Sequence, residues 1–176
     1  MKQYVLKWEV SGIVFVFFLG ALLHFVFEWS GESAIVGAIA SVNESVWEHF
    51  KQGFWPMCLF AAIEYRYIRL HTQNFIAAKG TAVLLIPIVT GLVFYSYTAI
   101  TGHEILLVDI TIFALAVAAG QMVSSRIMTL PALPKITKYM GIAIICLVGL
   151  VLILFTFYPP HGPILLDGNT MTYGIP

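Results

Sequence analysis

Long apolar stretches separated by short polar breaks dominate this chain. The first of them runs without a charged residue from Val10 to Phe27 and follows Lys2 and Lys7. A helix of about 20 apolar residues crosses the hydrocarbon core of a bilayer, whereas the apolar region of a cleaved signal peptide is shorter. Hydrophobic residues make up 60% of the chain and charged residues only 10%, which is more apolar content than a soluble core needs. The sequence therefore predicts an all-α integral membrane protein that retains its first helix.

We predict a single transmembrane domain over residues 1–176, built as a bundle of five transmembrane helices. The expected spans are residues 4–27, 44–67, 75–99, 105–126 and 139–157. Residues 34–40 are apolar but too short to cross a bilayer, so they are expected to form a re-entrant segment buried against the bundle. Residues 159–176 form an outer tail, whose prolines and apolar Ile164 to Leu166 indicate that it folds back over the outer mouth.

Basic residues decide the predicted orientation, because cytoplasmic loops of membrane proteins are rich in Lys and Arg. With five spans, Lys51 falls on one side and the other eight of nine basic residues fall on the opposite side: Lys2, Lys7, Arg66, Arg69, Lys79, Arg126, Lys135 and Lys138. The N-terminus is therefore predicted inside and the tail outside. Net charge is zero, so no basic surface for nucleic acid is expected.

The start of the second predicted helix carries a dense run of polar residues. Residues 41–51 read Ser-Val-Asn-Glu-Ser-Val-Trp-Glu-His-Phe-Lys. Ionisable groups at the mouth of a membrane helix are costly in lipid, so such a run indicates a functional site. Most of the acidic residues and histidines of the chain fall on the same, outer side in the five-span arrangement. The sequence therefore predicts one polar site that opens to the outer face.

Histidines and acids from three predicted helices reach similar depths at that side. Imidazole and carboxylate groups suit zinc or another divalent metal ion, and a site with three protein ligands can activate water. We predict metal ligands among His24, Glu28, His49, His103 and Asp109, and a general base at Glu48 or Glu44. The working function is a membrane-embedded metal-dependent hydrolase that takes a lipid or a small-molecule substrate from the outer face.

Two other functions and a purely structural interpretation stay open. The site could serve a cation or proton transporter or channel, or the chain could be a non-catalytic membrane partner protein. A conductor needs polar groups in the inner half of the membrane, but residues 55–63 and 112–120 offer none. We interpret Glu64 as an interfacial ion pair with Arg66, and Glu9 as one with Lys7. In the structural interpretation, Glu48 pairs with Lys51 and the remaining polar groups bond to neighbouring helices.

The segment Asn43-Glu-Ser-Val-Trp-Glu-His-Phe-Lys51 resembles a family of small bacterial membrane proteins of unknown function. Residues 102–110, 157–167 and 172–175 are similar to the same family, which implies the bacterial plasma membrane but no activity. Asn43-Glu44-Ser45, Trp47 and His49 also resemble a segment of the progestin and adiponectin receptors and the alkaline ceramidase-like membrane hydrolases. That resemblance implies zinc-dependent hydrolysis of a lipid amide, although this chain lacks the late His-x-x-x-His pair and has five predicted spans instead of seven.

Overall fold

The computed structural model describes residues 2–175, which fold into six α-helices. Their bounds are α1 (Lys2–Trp29), α2 (Ala34–Gly37), α3 (Val46–Ile68), α4 (Phe75–Thr101), α5 (Leu106–Met128) and α6 (Lys135–Phe157). The five long helices lie close to the five predicted ones. Residues 34–40, predicted as a buried re-entrant segment, contain only the single turn of α2, and Ile35 and Ile39 are exposed, so the structure does not support that prediction. This part of the chain is thus all-α, as predicted.

Four helices in this part of the chain, α1, α4, α5 and α6, are long and apolar enough to cross a membrane. The structure therefore indicates a helical membrane protein. By length and composition it supports four spans instead of the predicted five, because α3 carries Glu48, Lys51, Glu64 and Arg66. Large apolar side chains in the middle of the other helices point outward; Phe18, Leu92, Leu115 and Leu147 are each more than half exposed. Such a surface suits hydrocarbon and is costly in water.

Helix α3 packs against α1, α4 and α6; its first half is largely buried, whereas Leu59, Ile63 and Tyr67 of its second half are exposed. Phe54, Met57 and Phe60 of α3 are buried and form the main core with apolar residues of the surrounding helices. Close packing elsewhere depends on glycine. A Cβ atom on Gly80 of α4 would lie 2.6 Å from the Cα atom of Gly141 of α6, so the backbones of these helices touch where a side chain would separate them.

The two ends of the bundle differ in charge. At the end where α1, α4 and α6 begin, here called the Lys79 end, all seven basic residues outside the bundle interior are exposed: Lys2, Lys7, Arg66, Arg69, Arg126, Lys135 and Lys138. The opposite end, here called the His24 end, has no exposed Lys or Arg within residues 2–175. The predicted segregation of charge is therefore present, except that Lys79 is not a loop residue. It is buried, as Lys51 is.

The tail after α6 packs onto the His24 end. The Asn43 side chain donates a hydrogen bond to the Gly174 carbonyl at 2.8 Å, and the Trp47 backbone N–H donates to the Ile164 carbonyl at 2.9 Å. Ile175 contacts the small apolar cluster at the end of α1. The prediction that the tail folds back over this mouth is confirmed, and the tail thereby supports the polar loop before α3.

Candidate metal centre at the His24 end

The loop before α3 is held in place by its own polar side chains. Ser45 caps the helix, since its hydroxyl accepts a hydrogen bond from the Glu48 backbone N–H at 3.3 Å. The Asn43 carboxamide oxygen accepts from the Ser45 N–H at 2.9 Å. Short polar residues are favoured at such positions because they satisfy the free N–H groups of the first turn. Glu44 therefore precedes the cap directly, and His49 lies on the first turn of α3.

Three potential metal ligands meet at this point. His24 comes from α1, Glu44 from the loop and His49 from α3, and one ligand atom of each lies within 4.8 Å of the other two. The His24 Nε2 atom is 3.4 Å from Glu44 Oε1, and the His49 Nε2 atom is 3.6 Å from Glu44 Oε2. The imidazole ring centroids are 5.4 Å apart. We call these three residues the His24 cluster.

The other nitrogen of each imidazole has a partner of its own. His49 Nδ1 lies 2.8 Å from the Ser45 carbonyl, which can only accept, so Nδ1 is the donor and Nε2 is the nitrogen that faces the cluster. His24 Nδ1 lies 3.1 Å from the amide of Gln52, which can donate to Nδ1 or, after rotation by half a turn, accept from it. Metal binding would select the second arrangement, which frees His24 Nε2 as a ligand.

Two imidazoles and one carboxylate are a donor set that zinc accepts. With Zn–N and Zn–O bonds near 2.1 Å, neighbouring ligand atoms of a tetrahedron lie roughly 3.4 Å apart. The two carboxylate–imidazole contacts, 3.4 and 3.6 Å, are close to that value but end on different oxygens of Glu44, and one ligand atom of each residue lies within 4.8 Å of the other two. The side chains are 28% exposed for His24, 33% for His49 and 44% for Glu44. A tetrahedral ion held by these three side chains would keep its fourth coordination position for water.

The remaining predicted site residues lie outside the His24 cluster. His103 is exposed in the turn before α5, where its Nδ1 contacts the Thr101 carbonyl at 3.0 Å. Asp109 accepts a hydrogen bond from the Tyr97 hydroxyl at 2.6 Å. Glu28 is exposed one turn beyond His24 on α1. The structure thus brings together two of the three predicted histidines, while short local contacts hold His103 and Asp109 elsewhere.

Glu48, one of two predicted general bases, forms a buried ion pair. Its carboxylate lies 2.5 Å from Lys51 Nζ, and accepts hydrogen bonds from the Val42 N–H at 3.1 Å and the Thr156 hydroxyl at 2.9 Å. Lys51 Nζ also donates to the carbonyls of Gly37 and Ala40, at 2.7 and 3.0 Å. This pair fastens α2 and the loop to α3. Its catalytic role stays a prediction, and Glu44, the other predicted base, belongs to the His24 cluster.

A second buried charge cluster lies towards the Lys79 end. Lys79 Nζ is 3.0 Å from Glu9 Oε2 and 2.6 Å from Glu64 Oε2, and these three side chains are at most 2% exposed. The predicted interfacial pairs of Glu64 with Arg66 and of Glu9 with Lys7 are therefore wrong. Lys79 on α4 lies between α1 and α3, and both acids face it in the bundle interior. The residues next to each acid in the sequence do not reveal such a contact.

Gln52 and the Ser45 carbonyl were not predicted as parts of the site. Both lie on the face of α3 that carries His49, since positions three, four and seven residues apart share one face of a helix. That spacing was the only available signal for them. A separate apolar groove of about 770 Å³ between α4 and α6 includes Trp47 in its lining, but no member of the His24 cluster contributes to it.

Comparison with known proteins yields a family without an assigned activity. No curated protein and no solved structure matches the chain, so nothing supports the resemblance to the progestin and adiponectin receptors or to ceramidase-like hydrolases. The family described as "Family of unknown function (DUF6512)" matches residues 1–175, in agreement with the predicted membership of a family of unknown function. Because this match extends over nearly the whole chain, the protein belongs to the DUF6512 family.

Proposed function

We propose that this protein is a multi-pass protein of the bacterial plasma membrane that binds a divalent metal ion, zinc in the first place, at the His24 cluster. The observation that carries the proposal is the approach of two imidazoles and one carboxylate from α1, the loop and α3. Two histidines and one glutamate are a common ligand set of catalytic zinc. The contacts of Ser45 and Gln52 with the outer imidazole nitrogens resemble the supporting contacts of metal-bound histidines.

We further propose that the bound metal serves hydrolysis. The cluster supplies three ligands and is open to water, so a fourth position is free for the water molecule that such a metal would acidify. Glu48 is held by Lys51, and Glu44 is itself a ligand. Exposed Glu28 shares a helix face with His24, and we assign to it the role of proton acceptor from that water. A substrate from the outer leaflet or the external solution would reach this mouth directly.

The proposed arrangement in the membrane has five spans, with the His24 end outside. Helix α3 has 23 residues and is therefore about 35 Å long, enough for a bilayer core of about 30 Å. Its interior charges do not face lipid, since Glu48 and Glu64 are buried and paired with lysines. The exposed basic residues of the Lys79 end favour the cytoplasmic side for that end.

A conductor is the weaker alternative. The structure adds polar groups in the inner half, at Glu9, Glu64 and Lys79, that the sequence did not reveal. However, Lys51 and Glu64 are about 20 Å apart along α3, and buried Phe54, Met57 and Phe60 fill the space between them. This apolar core separates the two charged sites, which disfavours a continuous route for ions.

The test is zinc binding to the full-length protein in detergent. After chelator treatment and dialysis against zinc, elemental analysis should find one zinc per wild-type chain. The variants His24→Ala, His49→Ala and Glu44→Gln each remove a ligand and should lose the bound zinc. Gln52→Leu removes only a supporting contact and should weaken zinc binding by about 10- to 100-fold.

His103→Ala is the matched control, because it removes an imidazole at the same end of the bundle but outside the cluster. It should bind zinc as the wild type does. Absence of zinc from the folded wild-type protein, or equal zinc content in the His49→Ala and His103→Ala variants, would contradict the proposal. Hydrolysis of a panel of activated esters should then depend on zinc and be lost in Glu28→Gln, which should keep the metal.

A further inference from the structure

The charge cluster near the Lys79 end is not balanced. It contains two carboxyl groups, Glu9 and Glu64, but one ammonium group, Lys79, and all three are buried. The other polar groups that face it are neutral side chains of α5, Gln121 and Ser124. With every group in its ordinary charge state, the site would hold one uncompensated negative charge, and such a charge costs several kcal/mol away from water.

The two carboxyl groups have unequal surroundings. Glu9 Oε2 accepts a hydrogen bond from Lys79 Nζ at 3.0 Å, and Glu9 Oε1 accepts from the Ser124 hydroxyl at 2.6 Å. Both oxygens of Glu9 are thus satisfied as acceptors, which favours the ionised form. Glu64 Oε2 lies 2.6 Å from Lys79 Nζ, its one polar partner among the described residues, and Glu64 Oε1 has no partner there.

Lys79 is the group least suited to give up its charge. Besides the two carboxyl groups, its Nζ atom donates to the Gln121 side-chain oxygen at 3.2 Å. It also lies 5.8 Å from the ring centre of Phe60 and 5.7 Å from that of Phe75, and aromatic faces attract cations at such distances. Neutral Lys79 would lose these contacts and leave two buried carboxylates side by side. Neutralisation therefore falls on a carboxyl group.

We propose that Glu9, Lys79 and Glu64 form a proton-binding site inside the membrane domain, with one proton held by Glu64 at neutral pH. Protonated Glu64 makes the site electrically neutral while Glu9 and Lys79 remain a hydrogen-bonded ion pair. Gln121, whose side-chain oxygen accepts from Lys79, is also buried, and its Nε2 atom has no hydrogen-bond partner among the described residues. The ligand of this site is a proton, and the binding group is Glu64.

The Glu48–Lys51 pair near the other end provides an internal contrast. It has one acid and one base, and every oxygen of Glu48 has a partner. It needs no extra proton. The same chain thus holds two buried charge clusters in similar surroundings, one with a surplus acid and one without.

Infrared spectroscopy of the full-length protein in lipid bilayers tests the assignment directly. The wild type should show the C=O band of a protonated carboxylic acid at neutral pH, and this band should disappear at alkaline pH with release of one proton per chain. Glu64→Gln should abolish the band, and Glu64→Asp should shift it. Glu104→Gln, which changes an exposed acid at the opposite end, should leave it unchanged.

Thermal stability provides a second readout that requires no spectroscopic assignment. The wild type should lose stability as the pH rises above the ordinary carboxyl pKa of about 4, because the folded state then holds a proton that the unfolded chain has released. Glu64→Gln imitates the protonated acid, so its melting temperature should equal that of the wild type near pH 4 and exceed it increasingly as the pH rises, until Glu64 itself ionises in the folded protein. Absence of the band from the wild type, or its persistence in Glu64→Gln, would overturn the proposal. Stabilisation by sodium but not by potassium would also overturn it, since the site would then bind a metal cation.

Discussion

Replacement of Lys51 by methionine should destabilise the protein strongly. Lys51 is fully buried and makes one ion pair with Glu48 and two hydrogen bonds to the carbonyls of Gly37 and Ala40. Methionine fills a similar volume but leaves the Glu48 carboxylate without a counter-charge. Removal of one partner from a buried pair costs about 3–5 kcal/mol. The two lost hydrogen bonds belong to the same cost, because they end on the same ammonium group.

The assay is equilibrium unfolding of wild type and variant in the same detergent. The double variant Lys51→Met with Glu48→Leu removes both charges. Its comparison with the single variant isolates the cost of leaving the buried Glu48 carboxylate without a counter-charge. The double variant should recover part of the stability, because the uncompensated charge is gone, while the Gly37 and Ala40 carbonyls, the Val42 N–H and the Thr156 hydroxyl still lack their partners. A single variant within about 1 kcal/mol of the wild type, or a double variant no more stable than the single one, would refute the reasoning.

The remaining predictions concern the tail and the orientation. Burial alone would raise the pKa of Asp167, but hydrogen bonds from Asn169, Thr170 and the Glu44 backbone lower the pKa below its usual range. The stabilisation of the tail by ionised Asp167 should therefore be complete above a pH of about 4 and should be lost only at lower pH. Asp167→Asn should loosen the tail at pH 7, and limited proteolysis should detect this loosening. In cells, a membrane-impermeant maleimide should label Gly168→Cys and not Leu133→Cys, and the reverse pattern would invert the proposed orientation.

The helix positions were predictable because they follow from local properties of the chain. An apolar run of bilayer length and the polar break that ends it are visible without any knowledge of neighbours. The approach of His24 to His49 was also predictable, because depth along two adjacent helices follows from residue number and the rise per residue. Charge segregation between the two ends followed from the same reasoning.

Contacts that depend on the rotation of a helix about its own axis were not predictable in this way. Lys79 is the fifth residue of α4, and the sequence groups it with the basic residues that mark the cytoplasmic side. In the structure its side chain points inward to Glu9 and Glu64. His103 shared the predicted depth of the site, but it lies in a turn where the nearest partner is the Thr101 carbonyl. Periodicity was a poor guide here, because helices with apolar residues on all sides do not show which side faces the interior.

The loop between α2 and α3 connects the parts of the molecule that the sequence presents separately. Lys51 holds its beginning, through the carbonyls of Gly37 and Ala40, and Asn43 in the loop binds the Gly174 carbonyl of the tail. Glu44, the next residue, is the carboxylate of the His24 cluster. A metal ion bound at the cluster, as proposed, would fix Glu44 and with it the adjacent Asn43, which binds the tail. Because coupling between two binding equilibria is reciprocal, zinc should strengthen tail docking by the same factor by which the docked tail strengthens zinc binding.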